Sequence, residues 1–118
     1  MPSTIRGDDN FDSAYGAALK AWVNFNGEGA VSIRTALNVT SITDIGTGDY
    51  RVNMTTALPD ADYAVSITAG AGVVSGHIAA SDGSQYEAKT TTTFKIRTLI
   101  TNTGNLGDSP HVSACVFR

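Results

Sequence analysis

The sequence predicts an all-β protein, an antiparallel β-sandwich of about seven to nine short strands behind a short extended N-terminal arm. Three observations carry this expectation. Apolar residues recur at every second position in run after run, the period of a strand with two unlike faces. Glycine, proline, asparagine and aspartate separate the runs, as tight turns require. Charged residues make up only 16% of the chain against an apolar fraction of 42%, and twelve glycines are present, a balance that suits strands and turns better than amphipathic helices. At 118 residues the chain fits one domain, divided here into an arm over 1–16 and a sandwich over 17–118.

The arm, MPSTIRGDDNFDSAYG, follows neither structural period. It reads either as a disordered terminus or as a segment that orders against another subunit, with Ile5, Phe11 and Tyr15 as apolar anchors. Strand signals start where Ala21, Val23 and Phe25 alternate with Lys20, Trp22 and Asn24. Gly27-Glu28-Gly29 supplies a turn, and Val31 and Ile33 resume the alternation. Leu37, Val39, Ser41, Thr43 and Ile45 share one parity with Ile42 on the other, which predicts a long, bulged strand. Gly46-Thr47-Gly48-Asp49 is the next turn. Tyr50, Val52 and Met54 then complete the clearest hairpin, which Leu58-Pro59-Asp60 ends. Tyr63, Val65 and Ile67 mark another strand. Residues 70–90 are punctuated by Gly, Ser and Asp around one short strand, Val73 to Ala79. Thr92, Phe94, Ile96 and Thr98 alternate convincingly, TNTGNLGDSP reads as a loop, and Val112, Ala114 and Val116 form the closing strand.

Composition narrows the function classes. The net charge is −3, and no Lys/Arg cluster occurs, so nothing supplies the concentrated positive charge of a nucleic-acid groove. No apolar run approaches the ~20 residues of a membrane-spanning helix. The polar start lacks the apolar stretch of a secretory signal, and the single cysteine, Cys115, forms no intrachain disulfide. Synthesis in a cytoplasm is the expectation.

Candidate chemistry is sparse. His77, His111 and Cys115 are the only groups suited to nucleophilic or base work. The acidic residues Asp44, Asp49, Asp60, Asp62, Asp82 and Glu87 sit mostly at turns, where Asp bonds local backbone donors, and no pair is singled out as a glycosidase dyad. The oxygens of Asp44 to Asp49, and of Asp8, Asp9, Asn10 and Asp12, lack calcium-loop spacing. Asn38-Val39-Thr40 and Asn53-Met54-Thr55 match the glycosylation pattern but read as ordinary strand residues without a secretory signal. Trp22 reads as a core or subunit-contact aromatic, with sugar stacking as the alternative. The expectation is no enzyme, no cofactor and no metal.

One stretch is distinctive as a pattern. Trp22 to Gly27, Ile33-Arg34, Ser41 to Asp44, Gly48 to Tyr50 and Pro59-Asp60, all within Ala21 to Val65 (AWVNFNGEGAVSIRTALNVTSITDIGTGDYRVNMTTALPDADYAV), resemble the C-terminal module of phage tail-fibre and related virion proteins of marine and cyanobacterial phages. The closing VSACVFR is similar to that family's short final strand. Family members usually carry the module at the end of a long fibre chain, whereas here it makes up nearly all of the sequence. Residues 70–90 match nothing in the pattern, as befits a variable surface.

The resemblance implies a structural component of a tailed-bacteriophage virion, made in the bacterial host cytoplasm. A tail-fibre tip or receptor-binding module that attaches to the host without catalysis is the first expectation. The alternatives are a capsid decoration or cement protein or a tail adaptor, and an enzyme degrading host polysaccharide. Implied partners are other virion proteins, further copies in a homotrimer, and a host cell-surface glycan or protein, with no nucleic acid and no membrane insertion. Receptor contact is expected from loops 70–76, 81–87 and 101–110, through Ser75, His77, Asp82, Ser84, Gln85, Tyr86, Asn102 and Asn105. Tyr86 stands out as an aromatic among small polar residues, the composition of binding loops.

Overall fold

The computed structural model describes residues 18–70, 77–79, 88–100 and 103–118, the three-residue stretch as backbone only. These residues form eight strands: β1 (Leu19–Asn26), β2 (Ser32–Leu37), β3 (Val39–Gly46), β4 (Asp49–Met54), β5 (Ala64–Gly70), β6 (His77–Ala79), β7 (Thr93–Ile100) and β8 (His111–Phe117). They pair antiparallel into two sheets, ordered β2-β1-β8-β5 and β3-β4-β7-β6. The first is called sheet A and the second sheet B. The all-β sandwich expected from the sequence is the observed architecture. The arm, with Ile5, Phe11 and Tyr15, lies outside the described residues.

Alternation builds the core directly. Ala21, Val23 and Phe25 of β1 and Val112, Ala114 and Val116 of β8 line the inner face of sheet A. Tyr50, Val52 and Met54 of β4 face them from sheet B, with Phe94 and Ile96 of β7. Because side chains alternate across a strand, one parity of each of these four strands faces the interior. Aromatic edges tie the layers together: the Phe25 and Tyr50 rings meet at 5.2 Å and 73°, and Tyr63 meets Phe94 at 6.2 Å and 67°. Such pairs add roughly 0.5–1.5 kcal/mol beyond the area they bury.

The long strand expected from Leu37 to Ile45 is divided. Asn38, at φ 56°, turns the chain from sheet A into sheet B. Asparagine tolerates this left-handed conformation better than most residues, because its short side chain bonds nearby backbone. Here Asn38 Oδ1 accepts from the Thr56 N–H at 2.7 Å, and Nδ2 donates to the carbonyls of Lys20 and Thr56. Register shifts then occur between Val39 and Ser41 and between Asp44 and Gly46. Each adds a residue and flips the parity, which is why Val39 and Ile42 both pack inward while Ile45 stands 41% exposed.

Trp22 does not enter the core. Its register partners are Leu37 on β2 and Cys115 on β8, so it lies half-buried on the outer face of sheet A. The same register settles the face of Cys115, which points outward beside it.

Candidate functional site

One end of the sandwich gathers the β1–β2 and β3–β4 turns, the last residues of β5 and β7, and the first residues of β6 and β8. The pairs Phe25↔Val112, Gly70↔His111, Asp49↔Arg97 and His77↔Ile100 fix this arrangement. The connections 71–76 and 101–110 both attach here. The connection from β6 to β7 instead returns to Thr93, whose partner is Asn53 near the opposite end, so the three expected contact loops do not all attach at one end.

A compact hydrogen-bonded network pins the C-terminal half of the 101–110 loop to both sheets. The buried Tyr50 hydroxyl lies 2.9 Å from Asp108 Oδ1 and 2.9 Å from the Gly27 carbonyl. It has one proton to donate, and the charged carboxylate is the stronger acceptor. Asp108 Oδ1 also accepts from the Gly48 N–H at 2.7 Å. The Gly27 N–H donates to the Ser109 carbonyl at 2.8 Å, and Gly107 N–H to the Thr98 carbonyl at 3.0 Å. Ser109 Oγ donates to the Gly70 carbonyl, and Thr98 Oγ1 to that of Gly107. Strands β4, β5 and β7 and the β1–β2 and β3–β4 turns thus all hold the loop.

Glycine is required at two of these positions by space, and at Gly48 by φ as well. A Cβ on Gly27 would stand 2.4 Å from Tyr50 Oη and 2.8 Å from the Ser109 carbonyl. One on Gly48, at φ +63°, would stand 2.6 Å from the Thr98 carbonyl oxygen. The hydroxyl itself is kept protonated: burial, and then the neighbouring Asp108 carboxylate, push the Tyr50 phenol well above its ordinary range.

The first half of the same loop is a tight turn after β7. Gly104, at φ 74°, donates its N–H to the Ile100 carbonyl at 2.8 Å, and the Ile100 N–H returns to the Asn105 carbonyl at 2.8 Å. This leaves Asn105 exposed to solvent. Of the expected contact residues, Asn105 is the one whose side chain is described. His77 opens β6 as backbone, and Ser75, Asp82, Ser84, Gln85, Tyr86 and Asn102 lie outside the described residues. Asp108, the centre of the pin, carried no signal beyond its place in a polar loop.

The remaining titratable groups are dispersed. His111 and Cys115 share the outer face of β8 four positions apart, about 13 Å along a strand, which is far beyond hydrogen-bond reach. Asp60 binds Arg118 in a two-point fork, Oδ1 to Nε at 2.9 Å and Oδ2 to Nη2 at 2.7 Å. That fork, with the Asp62 backbone N–H, lowers the Asp60 carboxyl to about 2. On the outer face of sheet B, Lys95 is 7% exposed and pairs with Asp49 at 3.1 Å. Among the described residues no group of His, Cys, Asp or Glu is placed to hold a metal ion, and no helix is long and apolar enough to cross a membrane. Comparison of the chain with protein-family models, with curated proteins and with solved structures gives no match.

Proposed function

We propose that the protein is a structural component of a tailed-phage virion, a fibre-tip or receptor-binding module that attaches to a host surface glycan or protein without catalysis. The observation that carries this reading is the pin. Three strands and two turns commit buried and part-buried hydrogen bonds to fixing one surface loop, while the other half of that loop presents Asn105 outward. A rigid scaffold with polar loops at one end is how binding modules present recognition residues. The residues of the tail-fibre-like run support the reading from the other side: Gly27, Gly48 and Tyr50 are members of that run, and they form the seat on which the loop rests. Assembly of several copies, a homotrimer as in the fibre proteins it resembles, belongs to the same proposal.

The test is binding of fluorescently labelled full-length protein to intact bacterial cells and to a glycan array. Saturable binding that falls at least several-fold in an Asn102→Ala/Asn105→Ala variant of unchanged melting temperature supports the proposal. Binding to no cell type tested, by a protein shown to be folded and assembled, counts against it.

A further inference from the structure

Three of the four exposed large apolar side chains among the described residues share one face. Leu19, Leu37 and Phe117 are 43%, 46% and 42% exposed, and all lie on the outer face of sheet A. Leu37 and Cys115 flank Trp22 in one cross-strand row, and Leu19 pairs with Phe117 in the next. With strands about 4.8 Å apart, these residues form a continuous apolar patch around the only tryptophan of the chain. Water contact with such a patch is unfavourable, and patches of this kind mark docking sites.

We infer that this patch is the docking site of the chain's own N-terminal segment, residues 1–17. Location is the first argument. Ala18 exchanges two backbone hydrogen bonds with Arg118, at 3.2 and 3.0 Å, so the segment joins the sheet at the border of the patch, and Leu19 is itself a patch residue. Reach is the second. Tyr15 and Phe11 stand four and eight positions before Leu19, at most about 14 and 28 Å of extended chain, and Gly16 allows the reversal that brings them back over the sheet. Charge is the third. The segment holds Asp8, Asp9 and Asp12 against Arg6, whereas β1, β2, β5 and β8 contain no Asp or Glu and carry Lys20 and Arg34.

The same charges disfavour a second copy packed face to face, which would set Lys20 and Arg34 of both copies together with no acid between them. Sheet B has cations on its outer face as well, Arg51, Lys95 and Arg97. Among the described side chains of sheet B, Ile45 is the one large apolar group that is exposed, which offers Phe11 and Tyr15 little to cover. A short tether gives the segment an effective concentration in the millimolar range, so docking within the chain prevails at dilute protein.

Trp22 fluorescence tests the inference in the full chain, and the test stands apart from the virion proposal. In an Ile5→Ser/Phe11→Ser/Tyr15→Ser variant, and independently in an Asp8→Lys/Asp9→Lys/Asp12→Lys variant, the emission maximum is expected to shift to the red. The acrylamide quenching constant is expected to rise about twofold, because the quencher gains the side of the ring that the segment covers. Cys115 should alkylate faster in parallel. The charge-reversed variant alters only polar residues of the segment, so it keeps the test open if the apolar variant folds poorly. Quenching unchanged in both variants overturns the inference. Protection of Trp22 that appears only as protein concentration rises, and survives both sets of substitutions, also overturns it and assigns the patch to a second copy.

Discussion

Replacing Tyr50 with Phe removes one hydroxyl and leaves the ring edge against Phe25 in place, so the consequence can be worked from the pin alone. The hydroxyl loses a bond to a carboxylate acceptor, worth about 1.5–3 kcal/mol. For a domain of this size each kcal/mol corresponds to roughly 3–5 °C in Tm, so a fall of about 5–15 °C is expected. Asp108→Ala strips the acceptor from both Tyr50 Oη and the Gly48 N–H and should cost about 2–4 kcal/mol. The two substitutions share one hydrogen bond, so the double variant should lose about 1–2 kcal/mol less than the sum. Urea unfolding followed by Trp22 emission gives all four free energies. Alkaline titration supplies a second reading. The folded phenol has a raised pKa, so its contribution is fully present below the unfolded value of about 10 and is lost as pH rises toward the folded value. Wild-type stability should therefore decline above pH ~10 by up to about 1.4 kcal/mol per pH unit from this group, and Tyr50→Phe should lack that share of the decline. Additivity within ~0.5 kcal/mol, together with identical alkaline slopes, would refute the pin.

Other substitutions probe the scaffold. Phe25→Ala should cost about 3–5 kcal/mol and Ile33→Ala nearer 2, because Phe25 is fully buried and Ile33 only partly so; chemical denaturation orders the two. Asn38→Ala should destabilise by roughly 1–2 kcal/mol through the left-handed backbone, with Asn38→Gly milder; the reverse order in thermal melts would contradict the role given to its φ. Asp60 has a lowered pKa, so its contribution is present above the unfolded carboxylate value and fades as pH falls toward about 2; Asp60→Asn should flatten that acid limb in pH-dependent unfolding curves.

The sequence made the strands legible wherever burial is one-sided. Ala21, Val23 and Phe25, or Val112, Ala114 and Val116, declare their inner face by parity, and the observed register agrees with it. Parity fails where the chain gains a residue. The extra residues near Thr40 and Ile45 reverse the faces of β3; Ile42, out of step with its neighbours, signals a bulge but not these positions. Lys95 shows a second limit: between Phe94 and Ile96 it reads as an outward, solvated side chain, yet it is buried against Asp49. The Asp60–Arg118 fork and the Tyr50–Asp108 bond each join residues 58 positions apart, and no local pattern encodes such pairs. Gly27 and Gly48 were readable as turn glycines. Their tight approach to Tyr50 and Thr98 became visible only once the sheets were stacked.

The central claim is a place in a virion with the pinned end outward, and cryo-electron microscopy of the particle that carries this chain tests it most directly. The account predicts density for the sandwich at distal fibre tips, with the 71–76 and 101–110 connections facing away from the particle. Density on the capsid lattice instead, or purified particles that lack the chain altogether, would contradict it.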